Sequence, residues 1–189
     1  MAQPLQKALS LFDYLAFDNA SQERHEYVGG RVYAMTGGTM RHNRIAGNIF
    51  RLLANRFDGS PWQVFINDMK LHVQVTDSVN YPDVFVYYGS STANSEKVAQ
   101  DATLVVEVLS DSTAEIDRRE KLVAYQKLPG LRAYLIVSQA EQRVEVHSRD
   151  AGGQWQALAY SRGESISTEW MKSETIALSA LYSGTDLAG

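Results

Sequence analysis

A chain of 189 residues, 44% hydrophobic and 21% charged, has the length and composition of one ordinary globular domain, which argues against a disordered, collagen-like or membrane-spanning chain. Without cysteine there are no disulfides, thiolate metal sites or thiol nucleophiles, and with no secretory signal pattern in residues 1–10 the expected address is cytoplasmic. A net charge of −4 and a pI near 5.6 speak against coating nucleic acid by long-range attraction, but not against carboxylates gathered around a cation.

Apolar spacing predicts a short helix over Leu9 to Phe17, with Ser10 and Asp13 near its start. His25 to Val28 and Arg31 to Met35, joined by Gly29-Gly30, predict a two-residue hairpin that sets Glu26 on a strand or its approach. Ile45, Ile49, Leu52, Leu53 and Phe57 keep the stripe of a helix running from Met40 to Phe57. Trp62 to Val75 alternates like a strand interrupted by a turn at Asn67-Asp68, and Tyr81 to Tyr88 and Thr103 to Leu109 predict central strands. Ser112 or Thr113 then reads as the N-cap of a helix from Ile116 to Leu128, closed by Pro129-Gly130 and followed by a strand over Ala133 to Val137. Strand, helix and strand in this order predict a βαβ crossover between parallel neighbours. Arg143 to His147 and Gln154 to Tyr160 predict an antiparallel hairpin, and Gly184 to Gly189 a loose tail on a single domain spanning 1–189.

Glu107 stands inside Leu-Val-Val-Glu-Val-Leu, where an ionised carboxylate is costly unless it is paired, meets a water-facing groove or coordinates a cation. Asp83 follows Pro82 at the entry to another apolar strand, 24 residues earlier, a separation that allows neighbouring strands joined by a polar loop. Period-two counting puts Asp83 with Phe85 and Tyr87, and Glu107 with Val105 and Leu109, so the two acids share a site if those faces coincide. Oxygen ligands on rigid strands suit Mg²⁺. On the following helix Asp117, Lys121 and Tyr125 are spaced i, i+4 and i+8. The bland account is a surface ion pair worth about 0.3 to 0.5 kcal/mol; the sharper one has Lys121 reaching a phosphate or a metal-bound water, with Ser110, Ser112 and Thr113 at a helix start that could also meet an anion.

Taken in order, His25 to Gly30, Met35, His42, Tyr81-Pro82-Asp83-Val84, Leu104 to Ser110 with Thr113, Asp117 through Lys121 to Tyr125, and Tyr134 to Val137 resemble the restriction-endonuclease-like PD-(D/E)XK superfamily. Within it they resemble the bacterial family of free-standing putative restriction endonucleases, over residues 10–150. The resemblance implies an α/β (α+β) fold, a central mixed β-sheet with a βαβ crossover, flanked by helices. It implies a metal-dependent endonuclease that hydrolyses nucleic-acid phosphodiesters, DNA first, with Asp83 and Glu107 holding Mg²⁺ or Mn²⁺. The superfamily's usual lysine, two residues after the second acid, is replaced by Leu109, so the implied catalytic lysine is Lys121 from the helix. Glu26 resembles an extra acid beside the metal that could supply a second site, and His42, Asp117 and Tyr125 are supporting candidates, His42 equally readable as a structural histidine. A homodimer is a further implication, for which the apolar stretch Ile176 to Tyr182 could serve if it does not simply close the core. The alternative is a catalytically inactive nuclease fold kept for nucleic-acid binding or dimerisation, with Leu109 as the mark of lost activity.

Overall fold

The computed structural model of the chain describes residues 8–35, 37–89, 97–110, 117–167 and 174–188. Helix α1 (Leu11–Ala20) is capped by Ser10, whose hydroxyl accepts from the backbone N–H of Asp13. It is displaced toward the C-terminus from the expected span because Ser10 is the cap rather than a helical residue. Strands β1 (His25–Val28) and β2 (Arg31–Ala34) form the expected hairpin, with Val28 opposite Arg31 and both Gly29 and Gly30 at positive φ, +53° and +89°. Gly30 also lies so close to Ala8 that a Cβ there would come within 2.6 Å of the alanine methyl. Helix α2 (Met40–Phe57) runs as its periodicity predicts and buries Ile45, Ile49 and Leu53.

The alternating segment Trp62 to Val75 breaks at Asn67-Asp68 as expected, but its two halves join different sheets. Strand β3 (Trp62–Ile66) joins one sheet and β4 (Lys70–Val73) another, with Asn67 at φ +59° where the chain crosses between them. Val75 falls in a 3₁₀ turn, Gln74–Thr76, and is exposed rather than part of the alternation. Strand β5 (Ser78–Asn80), too short to leave a periodic signal, follows. Strand β6 (Val84–Tyr88) returns to the first of these sheets; then come β7 (Val98–Ala99) and β8 (Leu104–Val108).

The expected helix after β8 ends earlier and is less regular, over its described residues, than its sequence suggests. Its cap candidates Ser112 and Thr113, and Ile116, lie outside the described residues. A π-helical turn over Asp117–Lys121 leads into α3 (Leu122–Tyr125), and tighter bonds from Lys127 N–H to Ala124 O and Leu128 N–H to Tyr125 O close it ahead of Pro129. Strand β9 (Ala133–Val137) pairs parallel to β8, Glu107 opposite Ile136, as the crossover predicts. Strands β10 (Arg143–Arg149) and β11 (Trp155–Ser161) form the expected hairpin, and short β12 (Ser165–Ile166), β13 (Ile176–Ala177) and α4 (Leu178–Leu181) end the chain.

The architecture is therefore mixed α+β. A six-stranded sheet, β11-β10-β9-β8-β6-β3, has one parallel pair, β8 with β9; a five-stranded sheet runs β2-β1-β5-β4-β7. One face of the larger sheet, with Val84, Val106 and Leu135, packs on the stripe of α2 and on α4. The other face, with Phe85, Val105 and Ile136, packs on Tyr125, Leu128 and the β4 residue Leu71. The stretch Ile176 to Tyr182 closes the core: Leu178, Leu181 and Tyr182 are buried, and Asn48 of α2 donates its amide to the Leu181 and Ser183 carbonyls. Within residues 184–188, Asp186 pairs with Arg41 and Leu187 packs against this core. No helix among the described residues is long and apolar enough to cross a membrane.

Candidate functional site

The two sheets meet where Tyr81-Pro82-Asp83 carries the chain from β5 to β6. Strand β6 pairs with β8 through Val84 opposite Val106 and Phe85 opposite Val105. One further step in that register sets Asp83 across from Glu107, and alternation turns both toward the face that also carries Phe85 and Val105. The shared face required by the sequence is thus present. Asp83 is fixed through several atoms: its carbonyl accepts from Asn67 N–H, and its Oδ2 accepts from Val108 N–H at 2.7 Å and lies 3.2 Å from Nε2 of His42. His42 stands in the first turn of α2, beside Gly38, where a Cβ would come within 2.8 Å of its Nδ1.

Glu107 is only 4% exposed, and the cation that neutralises it is Lys121, itself 7% exposed. The Lys121 ammonium lies 3.2 Å from Glu107 Oε1 and 2.9 Å from Glu26 Oε1, bridging β8 of one sheet to β1 of the other. Tyr125, one helical turn beyond Lys121, donates its hydroxyl to the same Glu107 oxygen at 2.8 Å. Glu26 also accepts from the backbone N–H of Tyr81 at 3.3 Å. Glu107, Lys121, Glu26 and Tyr125 therefore form one set of contacts and Asp83 with His42 a second, the two joined through the backbone of Val108, which follows Glu107 and donates to Asp83. Asp117 opens the π-helical turn that ends at Lys121, and its side chain lies outside what is described. Leu109 is buried in the core face among Val105 and Tyr125.

A neighbouring buried cluster was not legible in the sequence. Asp18 of α1 accepts from the Tyr81 hydroxyl at 2.5 Å and from His25 N–H at 2.8 Å, and lies 3.0 Å from the Lys70 ammonium. Burial opposes the charge of Asp18, but the hydrogen bonds from Tyr81, Lys70 and His25 outweigh it and hold its carboxyl below the usual range. Tyr81 is thereby gripped at both ends, its ring by Asp18 and its backbone by Glu26. The only hint was Tyr81 preceding Pro82, since Asp18 and Lys70 reach it from elements remote in sequence.

Oxygen donors on adjoining strands fit a hard divalent cation. Among the described residues no three His, Asp or Glu side chains gather as a ready-made cage, and Mg²⁺ does not need one, because it takes one or two carboxylates and completes its shell with waters and substrate phosphate.

The Tyr125 hydroxyl is held well above its ordinary value of 10, by burial first and then by the charges of Glu107 and Glu26. Above about pH 10 the unfolded chain releases this proton and the folded chain keeps it, so the contribution is complete below that pH and is lost as pH rises toward the folded value. Tyr125→Phe is expected to lessen the alkaline fall in stability by about 1.4 kcal/mol per pH unit. Urea unfolding of both proteins between about pH 9 and about pH 11 measures this, and identical slopes would exclude Tyr125 as a source of the alkaline fall.

A family model described as "Uma2: Putative restriction endonuclease" matches residues 11–177. The protein sll1609 of Synechocystis sp. (strain ATCC 27184 / PCC 6803 / Kazusa) is 31% identical over 166 residues, covering 87% of this chain and 93% of its own. The protein slr1290 of the same organism is 32% identical over 158 residues, covering 84% and 83%. In structure, the chain is similar to a crystal structure titled as a putative nuclease belonging to DUF820 from Anabaena variabilis ATCC 29413, with a TM-score of 0.76 over 93% of this chain and 98% of that one, at 13% identity. At that identity the likeness is one of fold.

Proposed function

Because the chain belongs to the Uma2 family, described as putative restriction endonucleases, we propose that it is a metal-dependent endonuclease acting on DNA. The observation that supports this reading is that Lys121 pairs with the Glu107 carboxylate while Asp83 accepts from the backbone N–H of the next residue, Val108, at the seam between the sheets. Asp83 and Glu107 would hold Mg²⁺ or Mn²⁺. Such a cation, when bound, lowers the pKa of water and shields phosphate charge.

The chain's own residues do the rest. Val108 N–H and His42 fix the Asp83 carboxylate, and the Tyr125 hydroxyl fixes that of Glu107, so neither ligand must be ordered at the moment of reaction. Lys121 holds positive charge between Glu26 and Glu107, within reach of an anion that enters beside them. Glu26 positions that ammonium and is the natural donor for a second cation. The family resemblance favours a nucleic acid as the substrate, and DNA is the form proposed.

Leu109, buried where the superfamily's lysine usually stands, favours a second reading, an inactive nuclease fold that binds nucleic acid. Purified protein incubated with supercoiled plasmid, single-stranded DNA and RNA separates the two. Nicking of plasmid with Mg²⁺ or Mn²⁺, abolished by EDTA, is the expected result. Inertness toward all three substrates with both metals would reject the enzyme reading.

A further inference from the structure

Asn80, the last residue of β5, is 2% exposed, and its side-chain Nδ2 has no hydrogen-bond partner. A buried amide without a partner costs stability, and natural folds keep few of them. Among the described residues two other side chains carry such a buried atom, and each has a local account: His25 Nδ1 lies 3.5 Å from Asp18, and the amide nitrogen of Gln142, whose Oε1 is unpartnered, is bonded to the Leu187 carbonyl. Asn80 has none. Its place in the sheet supplies one. Strand β5 pairs with β1 through Tyr27 opposite Val79 and Val28 opposite Ser78, so the next pair is Glu26 with Asn80, on one face. That face carries the carboxylate bound to Lys121, and Asn80 stands three residues before Asp83.

Two carboxylates share the single ammonium of Lys121, so an entering phosphodiester meets acids whose neutralising charge is already engaged. A neutral donor stabilises phosphate oxygens without drawing the acids away from a cation. We propose that Asn80 is a substrate-binding residue of this site, whose amide, enclosed in the free protein, donates its side-chain N–H to a non-bridging oxygen of the scissile phosphate when the entering substrate opens the packing around it. The inference rests on the nuclease reading above.

The test is Asn80→Leu in the full chain, with thermal melting and steady-state plasmid cleavage in Mg²⁺ measured beside the wild type. Removing one aligned donor to developing oxyanion charge typically lowers kcat by about 10²- to 10³-fold, so kcat is expected to fall about 100-fold with KM little changed. The Tm is expected to hold or rise, because no folded-state hydrogen bond is lost. Asn80→Ala, smaller than the native side chain, is expected to show the same loss of kcat and keeps the test open if leucine is too large to fit. A variant that melts well below the wild type and cleaves slowly only in proportion to its unfolded fraction makes the amide structural and overturns the proposal. Equal cleavage by a folded variant and the wild type overturns it while leaving the nuclease reading intact. A wild type that cleaves nothing overturns both.

Discussion

Glu107→Gln is expected to lower metal-dependent cleavage by about 10³-fold or more while leaving the fold within about 1 kcal/mol of wild-type stability. The first figure comes from the several kcal/mol that a bound cation contributes to transition-state charge stabilisation, at roughly 1.4 kcal/mol per factor of ten. The second comes from charge balance. Among the described residues, Glu26 and Glu107 set two negative charges against the positive charge of Lys121, and glutamine leaves one against one. Its carbonyl oxygen still accepts from the Tyr125 hydroxyl, so that buried donor keeps its partner. Asp83→Asn should lose a comparable factor, since its oxygen can still take the Val108 N–H while its charge is gone. Plasmid nicking under single-turnover conditions, with urea unfolding alongside, measures both quantities. Folded acid variants that retain wild-type rates would show that Asp83 and Glu107 are not the metal ligands.

Lys121→Met should have the opposite profile, a large loss of stability together with the loss of activity. Removing one member of a buried ionic group costs about 3–5 kcal/mol because an uncompensated charge remains. Here two carboxylates remain, on strands from different sheets and with Glu107 only 4% exposed. Against a typical total of about 5–15 kcal/mol this is a large fraction. A divalent cation that binds the folded state between these acids restores stability by mass action, so the melting temperature of Lys121→Met should rise with added Mg²⁺ by more than that of the wild type. The comparison is read from melting curves over a Mg²⁺ titration, with Ca²⁺ as a non-catalytic control. A variant as stable as the wild type, or indifferent to the cation, would mean that Lys121 does not carry the charge balance of the site.

The sequence by itself determined the elements that repeat a local period and the acids that violate one. Met40 to Phe57 is helical because its apolar residues recur on one face, and the Gly29-Gly30 hairpin forms because only glycine takes two successive positive φ angles cheaply. Glu107 declared itself because an ionised group inside Leu-Val-Val-Glu-Val-Leu costs too much to be incidental, and the order of Asp83, Glu107 and Lys121 carried the family resemblance. Tertiary structure alone decided the register that sets Asp83 across from Glu107, the bridge from Lys121 to Glu26, the grip of Asp18 and Lys70 on Tyr81, and the parting of β3 and β4 into different sheets. Periodicity records which side of its own element a residue faces, whereas these features depend on which strands become neighbours. That choice is made by burial summed over the whole core. Asn80 belongs to the same class: an asparagine at a strand end is unremarked in the sequence, and only packing on both sides leaves its amide buried, unpartnered and next to Glu26.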